Sequence, residues 1–334
     1  MKLIDMVIVP KDNHYLLDSL IDNKKYELNS EGFNTLLQVL HNENETDEQK
    51  YILTTFDSFL QEGKFEKPRV KLNKFVSLEM ELLQICNLKC KHCYLTDDKS
   101  KDKIDLLTFK SLLKQGKESD AYVVELTGGE LFLDKTLFEK LSYARQLDYK
   151  ITLTSNAMLI SEDKAKQLKD LKVSSVTVTL NGTKEQHEKV YGKNSYNKAV
   201  QGLDNLYKFN VPININYMKH PDNLSTVKRF EQEMRDKYNI LDFTASDIAN
   251  RGQAKKNTFL QIPIIDESKR IDRDLTAKCG QDYDKGLTCS AGITSMFIKS
   301  NGNVLPCGQL TSVAGNIHNQ SLEEILQVME GKRQ

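Results

Sequence analysis

From about residue 76 to residue 250 short apolar runs alternate with amphipathic stretches. Runs at 76–83, 121–127, 150–155, 174–180, 213–217 and 241–246 are rich in Val, Ile, Leu and Thr and read as strands. Between them, 106–117, 137–147, 162–171, 196–209 and 225–237 carry apolar residues at helical spacing. Five strand–helix repeats and a sixth strand predict an α/β fold with a parallel sheet and right-handed crossovers. A closed eight-fold barrel takes roughly 250 residues. The about 175 residues from 76 to 250 suit a partial (β/α)6 barrel instead.

The flanks break this rhythm. Residues 1–70 read as a small α+β module. Strand-like runs at 6–9, 15–21 and 25–28 are followed by two amphipathic stretches, one capped by Asn29-Ser30-Glu31 ahead of Phe33, Leu36, Leu37 and Leu40. The polar segment 61–74, with Gly63 and Pro68, suits a linker. In 251–334 the runs Met296–Lys299 and Val304–Pro306 flank Asn301-Gly302 and predict a β-hairpin with a type I′ turn. Ser321 with Glu324 forms a capping box for a last helix to Met329.

Composition narrows the class without choosing a partner. The 334 residues carry 47 Lys+Arg against 47 Asp+Glu, so no global field draws the chain to nucleic acid or an anionic membrane. The apolar run Met6–Pro10 is too short for the core of a signal peptide, and no stretch approaches about 18 apolar residues. A cytoplasmic protein without nucleic-acid or membrane partners is expected. In that compartment thiols stay reduced, and clustered cysteines point to metal or redox chemistry.

The 6 cysteines form two trios, Cys86/Cys90/Cys93 and Cys279/Cys289/Cys307. The first follows the first barrel strand, where parallel barrels place their chemistry. Three thiolates within eight residues can wrap an iron–sulfur core and leave one iron of a [4Fe–4S] cube open. Cys90-Lys91-His92-Cys93 taken alone is also compatible with half a zinc site or a redox pair.

The run Cys86-Asn87-Leu88-Lys89-Cys90-Lys91-His92-Cys93 resembles the CxxxCxxC signature of the radical S-adenosylmethionine (SAM) superfamily. Leu126-Thr127-Gly128-Gly129-Glu130, ending the second strand, is similar to that family's Gly-Gly-Glu motif. The resemblance implies a TIM-like partial barrel in which Cys86, Cys90 and Cys93 hold a [4Fe–4S] cluster. It implies that SAM is chelated at the open iron and cleaved to a 5′-deoxyadenosyl radical. It places Gly128, Gly129 and Glu130 at the methionyl amine, His92 near the adenine, Ser155, Asn156 and Thr179 among the polar contacts to SAM, and Arg251 at its carboxylate. Asn181 stands where many relatives carry Asp.

Cys289 to Cys307 through the hairpin resembles the start of the SPASM/twitch extension of this superfamily. That implies an auxiliary [4Fe–4S] cluster held by Cys289 and Cys307, with Cys279 as third ligand; the other readings are Cys279 as a hydrogen-atom donor, or all three as buried, inert cysteines. Residues 1–70 resemble a shortened leader-recognition domain of ribosomal-peptide maturases; the other reading is a cap over the barrel end. The expectation is thus a radical SAM enzyme acting on a ribosomal precursor peptide. It would take electrons from an external flavodoxin- or ferredoxin-type reductant and form a C–C or thioether crosslink or an epimerised residue. A small-molecule dehydrogenase, a maturase of another protein and a zinc-binding interaction protein are the alternatives.

Overall fold

The structure is a computed structural model that describes residues 6–10, 14–19, 25–29, 76–95, 102–249, 251–262, 292 and 294–331. The chain divides into two compact units, Met1–Lys74 and Phe75–Gln334. In the first, β1 (Met6–Pro10), β2 (His14–Ser19) and β3 (Lys25–Asn29) form an antiparallel meander with β2 central. The amphipathic stretches expected after it lie outside the described residues.

The second unit is built on a nine-stranded sheet. Six parallel strands form its body: β4 (Ser77–Glu81), β5 (Val123–Thr127), β6 (Lys150–Ser155), β7 (Ser175–Thr179), β8 (Ile213–Lys219) and β9 (Asp242–Asp247), paired in chain order. The connecting helices are α1 (Leu106–Glu118), α2 (Leu137–Gln146), α3 (Glu162–Asp170), α4 (Lys184–Tyr191), α5 (Ser195–Lys208) and α6 (Val227–Tyr238). Each predicted strand and helix of the barrel is present, with ends shifted by a few residues. The sequence reading missed α4, because its buried residues are only His187, Val190 and Tyr191. Its start was nonetheless written in the capping box of Thr183 and Gln186.

Strand alternation sets the two faces of this sheet. Leu78 and Met80 on β4, Val124 and Leu126 on β5, Val176 and Val178 on β7 and Ile213 and Ile215 on β8 are buried in the main core. The helices pack here: α1 presents Phe109, Leu112, Leu113 and Gly116, a single stripe. A Cβ on Gly116 would lie 2.5 Å from the Tyr149 hydroxyl and 2.6 Å from Leu78, so its absence allows the close approach of helix to sheet. The alternate positions are polar: Glu79, Glu125, Thr152, Thr154, Thr177 and Asn214. A closed barrel fills that interior with branched apolar side chains; this one keeps it hydrophilic.

The C-terminal hairpin extends the same sheet. β10 (Ser295–Ile298) runs parallel to β4, with Ser295 opposite Ser77. β11 (Asn303–Leu305) and β12 (Gly315–Asn316) follow antiparallel, and α7 (Leu322–Gly331) closes the chain. The turn differs from expectation. Ile298 pairs with Val304, the Gly302 N–H donates to the Lys299 carbonyl, and Gly302 has φ +87° while Asn301 is not among the positive-φ residues. This is a three-residue loop with glycine in the left-handed position, not a two-residue type I′ turn. No helix among the described residues is long and apolar enough to cross a membrane.

Candidate active site

Cys86, Cys90 and Cys93 sit on the loop that leaves β4. The end of β5 holds that loop in place. Gly129 N–H donates to the Leu83 carbonyl at 2.7 Å and Glu130 N–H to the Ile85 carbonyl at 2.9 Å. A Cβ at Gly129 would fall 2.1 Å from the Ile85 oxygen, and one at Gly128 would fall 2.5 Å from the Leu83 oxygen. The two glycines are therefore required by the cysteine loop's own backbone, which fills the space their side chains would take. The far side of the loop is fastened too. Lys91 N–H donates to the Val190 carbonyl of α4, Gln253 N–H to the Cys93 carbonyl, and the Asn257 side chain to the Lys91 carbonyl.

Glu130 is fully buried and accepts from Phe132 N–H (3.2 Å), the Ser155 hydroxyl (2.8 Å) and Asn156 N–H (2.9 Å). Burial outweighs these bonds and pushes its carboxyl above the usual range. Its visible work is to tie the end of β5 to the end of β6. Ser155, itself buried, also accepts from Ala157 N–H. Asn156 donates through Nδ2 to Asn87 Oδ1 at 2.8 Å, and the same nitrogen lies 4.0 Å from Cys86 Sγ. Thr179 ends β7, half-buried, opposite Asn216.

Asn181 explains itself in the fold. Its Nδ2 donates to the Met218 carbonyl and its Oδ1 accepts from Met218 N–H, a two-way clamp on β8. A carboxamide supplies both a donor and an acceptor; an ionised Asp at this position would lose the former.

The three thiols share one environment. None is in a disulfide. Burial raises the Cys86, Cys90 and Cys93 thiols; Cys90 is raised further by Cys93 and Cys86, and Cys86 by Glu130 and Cys93. Without a bound cation they are held neutral, and coordination to iron would draw the protons off. Among the described residues no three His, Cys, Asp or Glu side chains converge as one ion's ligand set. A [4Fe–4S] cube, which takes each thiolate at a different corner, fits a single loop bearing three thiols better.

Beside the loop lies a group of imidazoles. The His92 ring meets Tyr191 edge-on at 5.0 Å, and His187 stacks on Tyr191 at 4.2 Å. Burial, reinforced by His220, pushes His92 down to about 4, so it is neutral at pH 7. His92 Nδ1 and both ring nitrogens of the fully buried His220 have no hydrogen-bond partner within the protein. Buried polar atoms are rarely left so. They fit a ligand with a polar edge of its own, such as a purine.

Arg251 reaches from the 251–257 segment toward the C-terminal hairpin. Its Nη1 donates to the Gly308 carbonyl at 2.6 Å, and its guanidinium lies 5.0 Å from the centre of the Tyr94 ring. Cys307 lies in the turn just before Gly308, with its sulfur 3.4 Å from Gln309 N–H. Cys279 and Cys289 lie outside the described residues.

Sequence reading missed the carboxylates inside the sheet. Glu79 and Glu125 are paired neighbours on β4 and β5. Burial, with Glu125 next to it, pushes Glu79 up to about 7. Glu81 is fully buried and accepts from the Ser300 hydroxyl at 2.7 Å, joining β4 to the hairpin turn. The alternation Ser77-Leu78-Glu79-Met80-Glu81 carried the signal: a buried parallel strand with every second position polar faces a hydrophilic interior.

Comparison with known proteins agrees with this geometry. Residues 80–234 match the family model of the radical SAM superfamily, and 289–332 match SPASM, an iron–sulfur cluster-binding domain. The chain is 26% identical over 231 residues to Fe-coproporphyrin III synthase of Methanosarcina barkeri, covering 68% of this chain and 55% of that protein. It is 26% identical over 263 residues to AlbA of Bacillus subtilis, the antilisterial bacteriocin subtilosin biosynthesis protein, covering 73% and 58%. It thus spans little more than half the length of these two relatives. In fold it is similar to SuiB of Streptococcus suis, solved bound to precursor peptide SuiA. The TM-score is 0.67 at 15% identity, over 99% of this chain and 89% of that one. The cysteine loop, Gly-Gly-Glu turn and parallel sheet thus fall within the segment that matches the radical SAM superfamily model, residues 80–234, and the C-terminal hairpin and last helix within the SPASM match, 289–332.

Proposed function

We propose that the chain is a radical SAM enzyme that modifies a ribosomally made precursor peptide. The observation that carries the reading is the cysteine loop itself: three thiols on one segment at the mouth of a parallel sheet, pinned by Gly128, Gly129 and Glu130 on one side and by α4 and 252–257 on the other. Cys86, Cys90 and Cys93 hold the [4Fe–4S] cluster, and Cys307 with Cys289 and Cys279 holds the auxiliary one. When bound, the cluster and SAM supply reductive cleavage to a 5′-deoxyadenosyl radical, which abstracts a substrate hydrogen. The protein's part is placement and shelter. Asn156 fixes Asn87 next to Cys86, Glu130 holds two strand ends in register, and the orphaned nitrogens of His92 and His220 meet the ligand's polar edge. Electrons come from an external one-electron carrier of flavodoxin or ferredoxin type.

The peptide assignment rests on the first unit. Among the described residues β3 pairs only with β2. An edge strand is a template for adding a peptide strand. The relatives include a bacteriocin biosynthesis protein, and the fold likeness to the peptide-bound SuiB runs over nearly the whole chain. A second reading takes a small molecule instead, and the similarity to Fe-coproporphyrin III synthase favours it. Co-expression with each short reading frame neighbouring the gene, followed by mass spectrometry, separates the two. A peptide that loses two hydrogens on crosslinking, or takes up solvent deuterium on epimerisation, supports the peptide reading. Every candidate emerging unmodified, with a tetrapyrrole consumed by the same enzyme, overturns it. Within the first unit, Tyr26→Pro and Glu27→Pro test the edge. Successive N–H groups of a strand point to opposite sides, so one substitution breaks the β2–β3 ladder and the other only the outer edge. The outward one weakens peptide binding and leaves uncoupled SAM cleavage intact.

A further inference from the structure

We infer that Arg251 is a positioning residue that locks the SAM-cluster loop to the auxiliary-cluster segment and places a fixed cation between the two. The inference rests on the proposed assignment of both cysteine trios. Three observations point to it. The guanidinium spans the gap directly: Nη1 reaches the Gly308 carbonyl, one residue past Cys307, while the group lies over Tyr94, one residue past Cys93. The backbone around Arg251 is moulded to the cysteine loop. Gly252 has φ +55°, and a Cβ there would sit 2.3 Å from the Cys93 oxygen and 2.8 Å from that of Tyr94. Gln253 N–H then donates to the same Cys93 carbonyl. The receiving end is equally confined, since a Cβ on Gly308 would press on the Phe297 ring of β10 at 3.0 Å. Each cysteine segment is thus held within one residue of a thiol, by opposite ends of one short stretch.

This assignment departs from the role that the sequence resemblance gives Arg251, a bidentate partner for the SAM carboxylate. A guanidinium whose Nη1 is held by a main-chain carbonyl and whose plane lies near an aromatic ring keeps its charge close to Cys93 and Cys307. A fixed cation stabilises the reduced, more negative form of a nearby cluster and so raises its reduction potential.

The test uses full-length, reconstituted Arg251→Gln and Arg251→Lys proteins, with three readouts: iron per chain, SAM affinity, and the potential and electron paramagnetic resonance signal of the auxiliary centre. In Arg251→Gln the auxiliary potential moves to more negative values and the magnetic coupling between the two reduced clusters changes. SAM affinity stays within about twofold of wild type, below the tenfold that about 1.4 kcal/mol represents. Arg251→Lys restores the charge, and with it most of the potential, while the coupling stays altered because a Lys cannot span both contacts. Loss of auxiliary iron alone in Arg251→Gln also supports the strut. A SAM affinity weakened by about tenfold or more, the loss expected when a charged hydrogen bond is removed, with auxiliary potential unchanged, makes Arg251 the cofactor's partner and overturns the inference. So does a variant indistinguishable from wild type in all three readouts, or one that loses both centres' iron together. Wild-type protein that takes up no iron or cleaves no SAM sinks the underlying reading instead.

Discussion

The two cysteine trios of this chain are built in opposite ways. The first is local: its thiols lie four and three positions apart on one loop, and main-chain hydrogen bonds with the end of β5, α4 and the 252–257 segment fix that loop from both sides. The second is dispersed over 279–307, and its last member follows β11, which pairs with β10, the strand that pairs with β4. A local trio can be recognised from spacing, because the loop carries its own geometry. A dispersed one depends on a strand pairing made with residues some 220 positions earlier. The difference is one of support: the first trio's loop is held along its own length, whereas the hairpin that leads to Cys307 is fastened to β4 and to the 251–257 segment by Glu81–Ser300 and Arg251–Gly308.

The largest expected effect separates the trios. Cys86→Ala, Cys90→Ala or Cys93→Ala abolishes 5′-deoxyadenosine formation, because two thiolates do not hold a cube with its open iron. The triple variant of Cys279, Cys289 and Cys307 to Ala keeps about four irons per chain, still cleaves SAM, and loses modified product. Iron analysis and chromatography of the nucleoside products check both. Equal loss of SAM cleavage in the two sets breaks the comparison.

Next comes the backbone that holds the first trio. Gly129→Ala inserts a Cβ 2.1 Å from the Ile85 oxygen, and the obstacle is main chain that cannot swing away. Overpacking of this kind costs about 1–3 kcal/mol or more. It is expected to displace the cysteine loop, with first-cluster iron lost while the auxiliary iron stays. Val123→Ala, at the opposite end of the same strand, serves as the control for general damage to β5, and anaerobic absorbance with iron counts reads the difference.

The smallest effect concerns the sheet interior beside the trio. Glu79 is pushed up to about 7 by burial and by Glu125, so the folded state holds its proton more tightly than the unfolded chain does. Stability from this group is complete below the unfolded value near 4.5 and is lost as pH rises through about 7. Glu79→Gln therefore leaves urea midpoints at pH 4.5 little changed and raises them relative to wild type at pH 8. An equal shift at both pH values contradicts the assignment.

Much of the barrel was legible because its signals are local. Strand and helix periodicity placed β4 to β9 and α1, α2, α3, α5 and α6 within a few residues. The hairpin's glycine was identified, but its turn type was not. Asn-Gly favours a tight two-residue loop in isolation, whereas pairing of Ile298 with Val304 requires three. In the candidate site the cysteine loop and the Gly-Gly-Glu turn stand out in the sequence, because their order and spacing are specific, and the structure brings the two together. It was not legible where the answer depends on which partner a side chain finds. Arg251 reads the same in sequence whether it meets a ligand or Gly308. The glycines at 128 and 129 read as a ligand cradle, yet the nearest obstacle is the protein's own loop. Asn181 stood out only as a departure from an expected Asp, and its reason emerges once Met218 is seen to need both a donor and an acceptor.

The central claim is that the local trio builds a SAM-cleaving iron–sulfur centre. Anaerobic reconstitution of the wild-type chain with iron and sulfide, followed by reduction in the presence of SAM, tests it most directly. The account predicts about eight irons per chain, as two [4Fe–4S] clusters, and 5′-deoxyadenosine released together with methionine in equal amounts. A chain that binds zinc alone, or fills with iron and leaves SAM uncleaved under reduction, contradicts it.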